Sequence, residues 1–177
     1  MAILEIVKVP APVLRQKAKK VPKVTPAVQK LLDDMAETMR AAPGVGLAGP
    51  QVGILQRVIV VEVHKDEQDP DLQYGFYQVV NPEIVRVSRE IEEGQEGCLS
   101  IPGYIGDVDR AFTVEVRGVD RSGKPLKVKA RGFLARVFQH EVDHLDGILF
   151  LDRLASPDKL HKLPDTEVPQ DETEMVG

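Results

Sequence analysis

His140 is followed by Glu141 and, four residues on, by His144. Residues four apart on a helix share a face, so the two imidazoles can reach one cation. Glu141 stands beside the first of them, where a carboxylate can handle the proton of a water held by that cation. Apolar residues at Val142, Leu145, Ile148 and Leu149 argue that the segment is largely buried. Buried histidines need partners. The plainer alternative, a charged helix with two surface histidines, fits that apolar company poorly.

Catalytic metal sites usually take three protein ligands and keep one position open. Phe150 stands where one large class of zinc peptidases carries its third histidine. Another class uses a downstream glutamate, and the one at a sensible distance, Glu167, lies in a Pro-rich acidic tail. His64 falls in a polar loop after a strand-like run, and His161 lies in the tail. The single cysteine, Cys98, sits in EGCLSIPG, small and polar on both sides, at the point where a strand ends. A buried filler would more often lie inside an apolar run. A thiolate bound to a divalent metal is deprotonated outright. Cys98, His140 and His144 are therefore the candidate ligand set.

Two helices and several strands have to bring these residues together. TPAVQKLLDDMAETMRAA, residues 25–42, reads as a helix capped by Thr25, with Pro26 in its first turn. Val28, Leu31, Leu32, Met35 and Met39 fall on one face. GVGLAGPQVG, residues 44–53, is too glycine-rich for a regular element. Strand-like runs follow at 57–63, 76–82 and 83–92, and a hairpin is expected around Arg121-Ser122-Gly123-Lys124. A second helix is expected from about Gly132 to Asp146, carrying HEVDH. The order helix, strands, helix predicts an α+β fold, with antiparallel strands packed around the second helix.

The chain has 177 residues, a length that suits one sizeable core. A catalytic domain over 1–154 and an acidic, largely disordered tail over 155–177 are expected. Of the net charge of −5, −4 lies from Asp152 onward. The nearly neutral remainder shows no basic stripe in sequence of the kind a phosphate backbone demands, and DNA binding is not expected. No run approaches a bilayer span, and the first twenty residues do not read as a signal peptide. One cysteine excludes an internal disulfide and suits a reducing cytoplasm.

GVGLAGPQ (44–51), EGCLS (96–100) and HEVDH (140–144) stand in an order and spacing that resemble the peptide deformylases. KVPAPVLRQKA near the start is also similar, and the resemblance covers about residues 3 to 154. It implies a hydrolase that removes the formyl group from N-formylmethionine at the start of nascent chains, with the ribosome nearby. It also implies a divalent metal, commonly ferrous iron in the cell, with zinc or nickel able to occupy the site. Matched residue by residue, Cys98, His140 and His144 are the metal ligands and Glu141 the general acid/base. Gln51 and the Leu99 N–H hold the formyl oxygen. The backbone of Gly44, Val45 and Gly46, with Gly97 opposite, pairs with the substrate peptide.

The chain departs from that pattern in three places. Gly49 replaces an alanine, which should loosen the turn that aims Gln51. Ile105 replaces an arginine, so an ion pair from Glu96 needs another partner, with Arg110 a candidate. The acidic end replaces a longer, often basic helix, which argues against docking to the ribosome through it. Two other readings compete: a small zinc metallopeptidase, and a Cys-His-His module that binds metal or peptide without turnover.

Overall fold

A computed structural model describes residues 2–164. Helix α1, Pro26–Ala41, starts where the Thr25 side chain accepts a hydrogen bond from the Val28 N–H at 3.3 Å. The strands among the described residues are β1 Gly46–Ala48, β2 Val58–Val63, β3 Gly75–Val87, β4 Ile91–Cys98, β5 Ile101–Ala111, β6 Thr113–Val119, β7 Pro125–Arg131 and β8 Leu160–Lys162. Helix α2 is Gly132–Leu145. Every strand pairing is antiparallel, giving one sheet ordered β1-β2-β3-β6-β7 and another ordered β4-β5-β8. The α+β expectation holds.

The continuous apolar run of β2 follows from its place in the larger sheet. Val58 and Val60 face α1, packing with Leu32, Met35 and Met39. Ile59, Val61 and Val63 face α2, packing with Leu134, Val137 and Phe138. A strand covered by helices on both faces needs no polar alternation. Helix α2 is accordingly buried along most of its length, which is why its polar residues can form an interior site.

Three local expectations need correction. Residues 76–92 are not two strands divided at Asn81-Pro82. β3 runs through that point by irregular register against β6 and ends at Val87. Asn81 adopts φ 53°, and its amide bonds both the N–H and C=O of Val21 at 2.8 Å, so the proline sits in a pinned bulge. Residues 44–53 do contain regular structure, namely β1 and a 3-10 turn over Gly49–Val52. Glycines here permit close backbone approach and do not abolish pairing. The chain also stays structured past Leu154. A 3-10 turn over Pro157–Lys159 leads into β8, which pairs with β5. The remainder of the expected tail, 165–177, lies outside the described residues.

Strand alternation also groups charges that are scattered in sequence. Lys127, Lys129 and Arg131 alternate along β7, opposite Arg117, Glu115 and Thr113 of β6. Arg117 and Lys127 both pair with Glu115, at 3.2 and 3.5 Å, so acid interrupts the bases on this face.

Candidate active site

His140 and His144 lie one turn apart on α2, with their Nε2 atoms 3.2 Å apart and their rings edge-on at 65°. Cys98 arrives from another layer. It ends β4 and pairs with Ile101 across the two-residue turn Leu99-Ser100, which lifts its Sγ to 3.4 Å from His144 Nε2. The three donor atoms lie within 4.8 Å of one another, and all three residues are buried. A thiol and two imidazoles converging in the interior form a donor set suited to a divalent transition metal with an open position. Burial pushes the Cys98 thiol far up; a bound cation would reverse that, because a coordinating thiol loses its proton. Phe150, in place of a third histidine, stacks on the His140 ring at 6.2 Å.

Glu141 is fully buried beside this cluster, and neither carboxylate oxygen has a hydrogen-bond partner among the described residues. Burial pushes its carboxyl well above the usual range, and the nearby negative charge of Glu96 adds to the shift. A buried, protein-unpartnered carboxyl beside a metal donor set is equipped to take and return a proton. Its position depends on Gly46: a Cβ there would lie 2.5 Å from Glu141 Oε2. Gly46 is thus the floor on which the carboxylate rests.

Gln51 lies in the 3-10 turn after β1. The Ala48 N–H donates to its Oε1 at 3.0 Å, which turns Nε2 toward Ser100 Oγ at 3.1 Å and Cys98 Sγ at 3.6 Å. Leu99, next to Cys98, packs its side chain against the α1 cluster. Gly49 does not loosen the turn. A Cβ at that position would lie 2.5 Å from Gln56 C=O and 2.8 Å from Ile54 C=O, so the missing methyl is replaced by close backbone packing.

The family model for polypeptide deformylase matches residues 3–160. The chain belongs to the polypeptide deformylase family. It is 59% identical over 153 residues to a peptide deformylase of Symbiobacterium thermophilum, covering 86% of this chain and 67% of that one. A crystal structure of peptide deformylase from Ehrlichia chaffeensis superposes with a TM-score of 0.85 at 40% identity, covering 89% of this chain and 91% of that one. A class I type b peptide deformylase from Acinetobacter baumannii, described as bound to Met-Ala-Ser, superposes with a TM-score of 0.81 at 39% identity, covering 86% and 99%. The chain is accordingly a deformylase enzyme of a metal-dependent family, and its Cys-His-His cluster is a donor set that could hold the metal.

The contact of Glu96 with His140 in this deformylase site was not legible in sequence. Glu96, buried two residues before Cys98, accepts from His140 Nδ1 at 2.8 Å. It also accepts two hydrogen bonds from Arg110, each 2.9 Å, and one from Arg136 at 2.7 Å. Arg110 continues to Asp143 at 2.6 Å. The Glu96–Arg110 pair suggested by Ile105 is therefore present. Burial would raise the Glu96 carboxyl, but Arg110 and His140 overcome it and hold it far below the usual carboxylate range. An ionised Glu96 keeps the His140 proton on Nδ1 and leaves Nε2 for a metal. The signal available in sequence was an acid two residues before the candidate ligand Cys98, with a buried histidine elsewhere in the chain needing an orienting partner.

The remaining candidates separate cleanly. His64 is exposed beside Glu62, and His161 pairs with Asp107 at 3.1 Å, both away from the cluster. Glu167 lies outside the described residues. Gly44 follows α1, and its N–H donates to the Met39 C=O at 2.8 Å. Val45 is buried and its C=O accepts from the Glu62 N–H at 2.8 Å. Gly46 opens β1 and Gly97 lies in β4, each strand being the edge of its sheet among the described residues. No helix among the described residues is long and apolar enough to cross a membrane.

Proposed function

We propose that this deformylase removes the formyl group from N-formylmethionine at the start of nascent polypeptides, working in the cytoplasm near the ribosome. The observation that carries the reading is the convergence of Cys98, His140 and His144 beside a buried Glu141 and the Gln51 amide. A divalent metal held by the three ligands, ferrous iron in the cell with zinc or nickel as substitutes, supplies the Lewis acidity that makes water nucleophilic near neutral pH. The chain's own residues do the rest. Glu141 takes the proton of the attacking water and delivers it to the leaving amine. Gln51 Nε2 and the Leu99 N–H donate to the formyl oxygen as negative charge develops there.

Peptide placement follows from the two sheet edges. A substrate strand can pair with backbone groups of Gly44 and Val45 just before β1, of Gly46 at its start and of Gly97 on β4, a mode tolerant of sequence. An apolar pocket near Val45 and α2 receives the methionine side chain. The Acinetobacter relative described with Met-Ala-Ser supports a peptide beginning with methionine as the ligand class. Turnover of formyl-Met-Ala, set against an internal peptide bond and combined with metal analysis, tests the reading. Hydrolysis of the formyl amide alone, with one metal per chain, is expected. Cleavage of the internal bond would turn the assignment toward a metallopeptidase, and stoichiometric metal without turnover toward a binding module.

A further inference from the structure

We infer that Ser100 is a positioning residue that couples the Cys98 thiolate to the Gln51 carboxamide, so that metal ligand and oxyanion donor are set by one hydroxyl. This rests on the roles proposed for those two residues. Ser100 is fully buried, in the two-residue turn that joins Cys98 to Ile101. Gln51 is fixed from both ends. Its Oε1 accepts from the Ala48 N–H at 3.0 Å, and its Nε2 donates to Ser100 Oγ at 3.1 Å. An amide nitrogen has two hydrogens. With one held by Ser100, the other is directed to the side of Cys98 Sγ, 3.6 Å away, where the formyl oxygen would lie.

Because Ser100 Oγ accepts from Gln51, its own hydrogen remains to be donated. The acceptor we assign to it is the Cys98 sulfur, which opens the same two-residue turn and lies 3.6 Å from the amide nitrogen that Ser100 holds. The same residue therefore withdraws charge from the thiolate and holds the neighbouring amide in register. The N-terminal segment braces the arrangement from behind. The Val7 N–H donates to the Gln51 C=O at 2.7 Å, and the Val9 N–H to the Ser100 C=O at 2.9 Å. A merely space-filling serine would account for the burial but not for an acceptor and a donor used on two different functional groups.

The test uses full-length Ser100→Ala and Ser100→Thr proteins loaded with cobalt(II), whose charge-transfer band reports the thiolate ligand. Ser100→Ala is expected to bind one metal and to lower kcat on formyl-Met-Ala by about tenfold or more, below the roughly 10²–10³ for losing a whole oxyanion donor. KM should stay within about twofold, because the lost interaction acts in the transition state. The thiolate band should move to lower energy, and Ser100→Thr should restore band and kcat together. If the alanine variant folds poorly, Ser100→Val set against its near-isostere Ser100→Thr isolates the hydroxyl: valine should lower kcat and shift the band where threonine does not, and in a cycle with Gln51→Ala both should be nearly silent in kcat once Gln51 is gone. An unmoved band with unchanged kcat, or additive losses in the cycle, would overturn the inference. Absence of turnover in the wild-type protein would instead sink the proposed function and leave the band prediction standing.

Discussion

Replacing Glu96 with glutamine isolates the charge that organises the site while keeping the shape of the side chain. In the wild type, Oε2 accepts from Arg110 Nε and Arg136, and Oε1 from Arg110 and His140 Nδ1. A glutamine has one oxygen and one NH₂. Whichever way it turns, two donors face an NH₂, and two guanidinium groups lose their buried counter-charge. The Glu96 side chain has 0% exposure and those of Arg110 and Arg136 have 6% and 7%, so solvent cannot take over the lost role. Removing one partner from a buried ion pair costs about 3–5 kcal/mol. In a chain of this size that corresponds to a fall in Tm of roughly 6–20 °C. Metal affinity should fall as well, by about 10–100-fold, because the imidazole loses the acceptor that fixes its tautomer.

The two effects separate experimentally. Thermal melts of chelator-treated protein report the fold, and competition with a fluorescent chelator reports metal affinity. The acid limb gives a third check. A carboxylate whose folded pKa is depressed contributes stability that is present above its unfolded pKa, about 4.3, and is lost as pH falls toward the folded value. The stability gap between wild type and Glu96→Gln should therefore narrow below about pH 4. Metal-free melts within about 2 °C of each other, together with unchanged metal affinity, would refute the reasoning that Glu96 anchors this cluster.

Other outcomes are equally specific. Cys98→Ala should lose most bound metal by elemental analysis, whereas Cys98→Asp retains part of it because a carboxylate also ligates. Glu141→Gln should keep metal and fold but lose turnover by a large factor, and Gln51→Ala should cost roughly 2.7–4 kcal/mol of transition-state stabilisation in kcat/KM. Gly49→Ala, the residue usual in the family, should destabilise this chain by about 1–3 kcal/mol in denaturant melts, because the added methyl meets two carbonyl oxygens. Deleting residues 165–177 should leave turnover of short formyl-methionyl peptides within about twofold, since every residue assigned to the site lies before it in the chain.

The chemistry was legible in sequence because it is written in residue types and short spacings. The i, i+4 histidines fix a shared helix face, Glu141 is adjacent to one of them, and a chain with one cysteine offers one soft ligand. The helix limits were legible for the same local reason: Thr25-Pro26 starts α1, and Pro43-Gly44 halts it. What depended on distant chain segments was not. No spacing rule relates Glu96 to His140, Arg110 and Arg136, because β4, β5 and α2 meet only after both sheets have formed. Asn81 reads as a turn residue until Val21, from a remote loop, supplies the hydrogen bonds that hold it within a strand. Gly49 reads as a lost methyl until the carbonyls of Ile54 and Gln56 fill its place. Local sequence decides which groups are available and how neighbours point, since covalent geometry and helical periodicity act over a few residues. Tertiary structure decides which groups share an interior. There, burial forbids an unpaired charge, and partners from three different elements are needed to satisfy one another.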